Sequence, residues 1–139
     1  MPQTYVATRR VEFRDTDAAG IMHFSAFFTK MEEAEHEFFR HLGLGIVEHD
    51  AEGVITWPRV AAHCEYQGSV KFEDVLGIEL HISRLGSKSV TYEFEFLSGG
   101  HAIASGQVTT VCCRVETDGA LKSLPIPEKF SSKLRDYVF

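Results

Sequence analysis

The hydrophobic positions of the chain follow two different periods, which separate one helical segment from several extended ones. Between residues 24 and 42 the apolar side chains recur at three- and four-residue steps, the spacing of one helix face. The pattern predicts a helix of roughly 19 residues, about 28 Å long. Ser25 is its predicted N-cap, and Gly43 and Gly45 are its predicted end signals. The apolar stripe consists of Phe24, Phe27, Phe28, Met31, Ala34, Phe38 and Leu42.

The remaining segments alternate between apolar and polar residues, which is typical of half-buried antiparallel strands. One strand is predicted before the helix and four after it, with Trp57-Pro58 as a break inside the second strand. A polar loop is predicted from Glu48 to Gly53, and a short amphipathic helix is predicted near the C-terminus, with Pro127 in its first turn. The predicted strands are residues 4–14, 54–66, 75–85, 89–96 and 101–115.

This order of elements predicts an α+β fold in which a five-stranded antiparallel sheet wraps around one long central helix. With 139 residues, 44% of them hydrophobic, the chain has enough apolar surface for one core and no room for a second domain. Residues 1–139 are therefore expected to form a single domain.

Composition and charge exclude several classes of partner. A net charge of −6 and a pI near 5.6 argue against nucleic acid, which requires clustered positive charge. No apolar run approaches a membrane span, and the first residues lack the features of a signal peptide, so a soluble cytoplasmic protein is expected. The cysteine and histidine residues show no metal-ligand spacing. Neither a metal nor a cofactor is therefore expected.

The junction before the helix carries the candidate chemistry. Asp15 and Asp17 lie just before it, and the first N–H groups of a helix lack internal partners while the macrodipole adds positive potential. A carbonyl oxygen placed there would be polarised, and a nearby carboxylate could act as a base or a nucleophile. The alternative is that both aspartates are turn residues that bond their own backbone, and spacing alone favours that reading.

The same residues carry a resemblance to a known family. The turn Asp15–Met22, the aromatic start of the helix, Glu32, Ala34 and Glu37, and the strand order resemble the hotdog-fold acyl-CoA thioesterases of the 4-hydroxybenzoyl-CoA thioesterase type. The most specific piece is the D-x-D-x-x-G-[IV] turn directly before the helix. The resemblance implies a hotdog fold, a homodimer or homotetramer formed by edge-to-edge pairing of sheets, and an active site at the dimer interface.

The resemblance also implies an activity and its residues. The activity is hydrolysis of an aromatic or other acyl-CoA to the free acid and CoA, with Asp17 as the catalytic carboxylate and Gly20 as the hinge after it. The backbone amide at Phe24 would polarise the thioester carbonyl. Whether Asp17 acts as base or nucleophile stays open, whereas Asp15 is expected to tolerate replacement by Asn. Many bacterial relatives have Tyr-His where this chain has His23-Phe24, so no histidine-assisted role is transferred.

Further substrate contacts are predicted at two places. His23 lies in the junction and would either touch substrate or be satisfied by the backbone. Arg84, Lys88 and Ser89 lie at the hairpin that in relatives approaches the CoA nucleotide, and the alternative is ordinary surface charge. Arg59 is a weaker phosphate candidate. Glu32 and Glu35 are expected to be solvated or paired at an interface. The alternative is that one of them is the base, because other hotdog thioesterases use a helix glutamate in that role.

Substrate class and activity leave alternatives open. The segment Leu124–Pro127 and the Trp57-Pro58 strand resemble the branch that hydrolyses 1,4-dihydroxy-2-naphthoyl-CoA, whereas the turn resembles the hydroxybenzoyl branch equally; an aliphatic acyl-CoA is the third option. The alternative function is a non-catalytic acyl or CoA-binding hotdog module. The presence of Asp17 argues against it, because a binding module has no need for a carboxylate aimed at a thioester.

Overall fold

The computed structural model describes residues 1–139 and contains nine strands and two α-helices. The α+β class predicted from the sequence is confirmed. The helices are α1 (Ala26–His41) and α2 (Glu128–Leu134), and single 3-10 turns occupy Phe13–Asp15 and Arg135–Tyr137. The strands are β1 (Tyr5–Arg10), β2 (Glu48–Asp50), β3 (Gly53–Thr56), β4 (Arg59–Tyr66), β5 (Val75–Leu85), β6 (Ser89–Ser98), β7 (His101–Val111), β8 (Cys113–Val115) and β9 (Leu121–Ser123).

The main sheet has five strands in the order β1-β5-β6-β7-β4, and all neighbours are antiparallel. The start of β5 therefore lies beside the end of β1, with Val75 opposite Arg10. We call this the Asp17 end of the sheet, because the turn that carries Asp17 follows β1 there. The opposite end, where the β5–β6 hairpin carries Lys88, is called the Lys88 end.

Helix α1 covers the inner face of this sheet and runs from the Asp17 end towards the Lys88 end. The Phe27 ring meets the Phe96 ring edge to face at 5.1 Å. Gly106 of β7 leaves room for the Met31 side chain of α1, because a Cβ at that position would lie 2.5 Å from it. The helix has 16 residues, fewer than the apolar stripe predicts, since the stripe continues into the turns at both ends.

A second sheet of four short strands, in the order β2-β3-β8-β9, was not predicted. The segment expected to be a loop from Glu48 forms a hairpin instead, with Glu48 opposite Ile55. The segment 101–115 is not one strand either, because β7 ends at Val111 and the next strand, β8, pairs with β3 and β9 in the second sheet. The break at Trp57-Pro58 is confirmed, since it separates β3 from β4.

The C-terminal helix α2 closes the core beside the second sheet. It begins directly after Pro127, and its Phe130 ring packs on Trp57 at 5.4 Å. Neither α1 nor α2 has the length and hydrophobicity that crossing a bilayer requires.

Candidate active site

Backbone hydrogen bonds within the turn before α1 hold its conformation. Thr16 and Met22 form an antiparallel bridge, the N–H of Asp17 donates to the carbonyl of Ile21 at 3.0 Å, and the N–H of Gly20 donates to the carbonyl of Asp17 at 2.9 Å. Gly20 has a φ of +81° and open space around it. Glycine is therefore favoured here because of the left-handed backbone conformation, and not because a side chain would lack space. The turn therefore presents Asp17 at a fixed position.

The carboxylate of Asp17 is half-buried and only partly used by the turn. Its Oδ1 accepts the N–H of Ala19 at 2.9 Å, and the chain supplies no hydrogen bond to Oδ2. The local bond expected of a turn aspartate is present, and it leaves one oxygen available to a substrate or a water molecule.

Asp15 has a different environment, although it lies only two residues earlier. It is 8% exposed, and its Oδ2 accepts the N–H of Glu12 at 2.8 Å and lies 3.2 Å from Nζ of Lys30, a side chain that is itself 4% exposed. Asp15 makes the local backbone bond expected of a turn residue. The buried ion pair also attaches the turn to α1, so the structure predicts that Asp15 is less easily replaced than the sequence indicates.

The start of α1 offers a hydrogen-bond donor seven residues after Asp17. The carbonyl of His23 accepts the N–H of Ala26 at 3.0 Å, whereas the N–H of Phe24 has no acceptor within the chain. The carbonyl of Phe24 accepts the Tyr66 hydroxyl at 2.9 Å, which fixes the helix start to β4. Sequence reasoning missed Tyr66, since nothing local pairs residues 42 positions apart.

Ser25 occupies the N-cap position but does not cap the helix. Its φ and ψ of −71° and −25° are helical, and its side chain makes no capping bond. Its hydroxyl lies 2.7 Å from Nδ1 of His23, and its N–H also donates to that nitrogen at 3.2 Å. The His23 ring stacks on the Phe24 ring with centroids 4.4 Å apart. His23 is thus held by local contacts, with Nδ1 turned towards Ser25.

Asp17, Gly20, His23 and Phe24 all lie in the turn and chain segment that lead into α1. Arg84, Lys88 and Ser89 lie at the other end of the sheet. Arg84 lies nine residues beyond the start of β5, about 30 Å along the strand. Arg84 and Lys88 are exposed and make no ion pair. One chain therefore does not place these cations and Asp17 around a single substrate.

Glu35 and Arg59 form a second buried ion pair. The two guanidinium nitrogens of Arg59 donate to the two carboxylate oxygens of Glu35 at 3.1 and 2.5 Å, and the Glu35 side chain is 1% exposed. Burial raises the pKa of Glu35 to about 7, and the positive charge of Arg59 opposes this rise. The expectation of a solvated Glu35 is wrong, because its carboxylate is buried against Arg59. Arg59 also donates to Glu32 and to the carbonyl of Trp57, and its role as a phosphate ligand stays a prediction.

A cavity of about 130 Å³ opens beside this pair along α1. Phe28 follows Phe24 by one helical turn, so the cavity begins near the Asp17 end. Its walls combine apolar and charged groups: Phe28, Glu32, Glu35, Arg59, Ala62 and Val108.

Comparisons with known proteins place this fold and site in one family. Residues 11–134 match the Thioesterase-like superfamily. A solved gentisyl-coenzyme A thioesterase is 33% identical, with a TM-score of 0.81 over 94% of this chain and 99% of that chain. A 1,4-dihydroxy-2-naphthoyl-CoA hydrolase from Synechococcus sp. strain WH7803 is 32% identical over 117 residues, 79% of this chain and 76% of that protein.

A third relative supports the fold alone. The 1,4-dihydroxy-2-naphthoyl-CoA thioesterase from Synechocystis is 22% identical and superposes with a TM-score of 0.86 over 96% of this chain and 97% of that chain. The chain belongs to the Thioesterase-like superfamily. Its enzyme class is that of the thioester hydrolases. The resemblance to acyl-CoA thioesterases, which the residues of the turn and helix indicated, is therefore confirmed.

Proposed function

We propose that this chain hydrolyses the thioester of an aromatic acyl-CoA, with Asp17 as the essential carboxylate and the amide of Phe24 as the donor to the carbonyl oxygen. The observation that carries the proposal is a pair of open groups: Oδ2 of Asp17 and the N–H of Phe24 make no hydrogen bond within the chain. The names of the relatives, which specify gentisyl and dihydroxynaphthoyl thioesters, support an aromatic acyl group.

The chemistry requires one C–O bond to form at the carbonyl carbon and the C–S bond to break. Asp17 can take the proton of the attacking water, which typically contributes ~10²–10⁴ in rate. It can also attack directly to form an anhydride that water then opens. Both routes release the acid and the CoA thiol, and both develop negative charge on the carbonyl oxygen. A donor such as the Phe24 amide contributes on the order of 10²–10³ to kcat.

A second subunit would explain the position of Arg84, Lys88 and Ser89. Strand β4 is an edge of the main sheet, its Val60 side chain is 61% exposed, and exposed edges favour pairing. If β4 pairs with itself about a two-fold axis, the strands run antiparallel. The Asp17 end of one subunit then lies beside the Lys88 end of its partner. The proposed site combines Asp17 with the partner subunit's Lys88, in a homodimer or a tetramer of two such dimers.

The test of the proposed function is thiol release from a panel of aromatic and aliphatic acyl-CoA substrates. The highest kcat/KM is expected for hydroxybenzoyl-CoA or dihydroxynaphthoyl-CoA, and lower values are expected for aliphatic thioesters. If no substrate is turned over while CoA binds tightly, the chain is a binding module rather than a hydrolase.

The shared site predicts a specific effect of Lys88→Ala. Loss of one charge-assisted contact to a CoA phosphate should raise KM for acyl-CoA by about tenfold. Turnover of a short pantetheine thioester, which lacks those phosphates, should be unchanged. An equal effect on both substrates would assign Lys88 a structural role.

Mixed oligomers test whether the two residues come from different subunits. Asp17→Asn and Lys88→Ala chains are unfolded together and refolded. Random pairing into dimers should then leave about one quarter of the sites intact, so activity at low acyl-CoA should exceed that of either variant alone. No gain on mixing, or a monomer in light scattering at micromolar concentration, would contradict the shared site.

A further inference from the structure

Phe24, which carries the proposed hydrogen-bond donor, lies before the regular part of α1. The helix begins at Ala26, and the N–H of Phe28 donates to the carbonyl of Ser25 at 3.2 Å rather than to that of Phe24. The side chain of Phe24 is 62% exposed, so packing in the core does not hold this residue. The direction of its N–H is therefore set by the hydrogen bonds of the two peptide groups that flank it.

The peptide group before Phe24 is held by the helix. The carbonyl of His23 accepts the N–H of Ala26 at 3.0 Å and so points along α1. In a planar trans peptide the N–H points opposite to the carbonyl. The N–H of Phe24 therefore points away from the start of the helix, into the region where the helix polarises a carbonyl oxygen.

The peptide group after Phe24 is held by Tyr66, which belongs to another element of the fold. The carbonyl of Phe24 accepts the Tyr66 hydroxyl at 2.9 Å, and the chain supplies no other donor to that oxygen. The hydroxyl remains a donor at neutral pH, because burial raises the pKa of Tyr66 to about 12. The other contact of this peptide group is local, from the N–H of Ser25 to Nδ1 of His23 at 3.2 Å.

The Tyr66 ring is anchored by the sheet and by the core. Tyr66 is the last residue of β4 and pairs with Ala104 of β7. Its ring meets the Phe27 ring edge to face at 5.1 Å, and Phe27 is 2% exposed and packs on Phe96 in the same way. The hydroxyl is therefore held at a fixed position relative to the sheet, and the Phe24 carbonyl is held there with it.

We propose that Tyr66 is a positioning residue: its hydroxyl holds the peptide group after Phe24 and so keeps the N–H of Phe24 directed at the carbonyl oxygen of the thioester. The inference rests on the proposed function, and it requires no contact between Tyr66 and the substrate. Donors stabilise the developing charge most when they are oriented before the reaction begins. Without the hydroxyl the backbone dihedral angles of Phe24 are less restricted, so part of the contribution of its N–H is lost.

The variant that tests this role is Tyr66→Phe, which removes the hydroxyl and keeps the ring that packs on Phe27. The rate of a single turnover, which measures thioester cleavage, should fall by about tenfold, a part of the roughly 10²–10³ that a whole donor contributes. KM should stay within about twofold, because the donor acts mainly in the transition state. Tyr5→Phe is the matched control, because the Tyr5 hydroxyl donates to Glu37 and Tyr5 lies at the end of β1 that is far from the turn. Its rate and KM should equal those of the wild type.

The carbonyl stretch of a bound acyl-CoA measures the orientation of the donor directly, because a hydrogen bond to the oxygen lowers the stretching frequency. The Asp17→Asn protein should bind substrate and cleave it slowly, so isotope-edited infrared difference spectra can be recorded on this complex. Tyr66→Phe in the same background should shift the frequency back towards that of free substrate, and Tyr5→Phe should not. An unchanged single-turnover rate, a rise in KM alone, or an unshifted frequency overturns the inference and leaves the proposed function intact. A wild type that hydrolyses no acyl-CoA refutes the proposed function itself.

Discussion

Replacing Asp17 by Asn is expected to lower kcat by at least ~10² while the melting temperature stays nearly the same. Asn has almost the same shape, and its amide oxygen can accept the N–H of Ala19 that Oδ1 of Asp17 accepts now. The turn is therefore retained, whereas the charge that serves as base or nucleophile is lost. The measurement is thiol release on the best substrate of the wild type, together with thermal unfolding.

The matched control for this substitution lies in a distant turn. Oδ1 of Asp118 accepts the N–H of Ala120 at 2.9 Å, the same two-residue bond that Asp17 makes with Ala19. Asp118→Asn should leave kcat and the melting temperature unchanged. If Asp17→Asn also kept near-normal turnover, Asp17 would be a turn residue of the same kind and the proposed site would be wrong.

The sequence predicts what depends on neighbours along the chain. The stripe from Phe24 to Leu42 identifies α1, and the alternation around Tyr92 identifies β6, because each pattern repeats over many residues. Strands β2, β8 and β9 have three residues each, too few to show a period. The Gly20 turn is predicted because it is local, and its conformation requires a glycine.

Only the local part of the candidate site can be predicted from the sequence, because its other contacts join residues that are far apart along the chain. Asp15 and Asp17 are the same residue type in one turn, and what distinguishes them is the contact of Asp15 with Lys30 on α1. Glu35 meets Arg59 across 24 residues, and a single sequence contains no signal for that pair. The hairpin at Lys88 is predicted from Gly86 and from the alternation of polar and apolar residues in the strand that follows. Its distance from Asp17 follows only from the order of the strands in the sheet.

The ion pair of Asp15 and Lys30 should make Asp15→Asn strongly destabilising. Their side chains are 10% and 4% exposed, so the substitution would leave the ammonium group of Lys30 buried, with Glu33 at 3.7 Å as its only remaining ion-pair partner. Removing one partner of a buried pair costs about 3 kcal/mol or more. For a domain of this size, this corresponds to a melting temperature lower by about 10 °C, measurable by calorimetry.

Removing both charges distinguishes an unpaired buried charge from simple loss of a turn contact. Asp15→Asn combined with Lys30→Met leaves no isolated ammonium group, so most of the lost stability should return. A double variant as unstable as Asp15→Asn alone would instead assign the loss to the hydrogen bond from the N–H of Glu12. Well below its melting temperature, Asp15→Asn should still turn over substrate faster than Asp17→Asn, because its Asp17 carboxylate keeps the charge that the reaction requires.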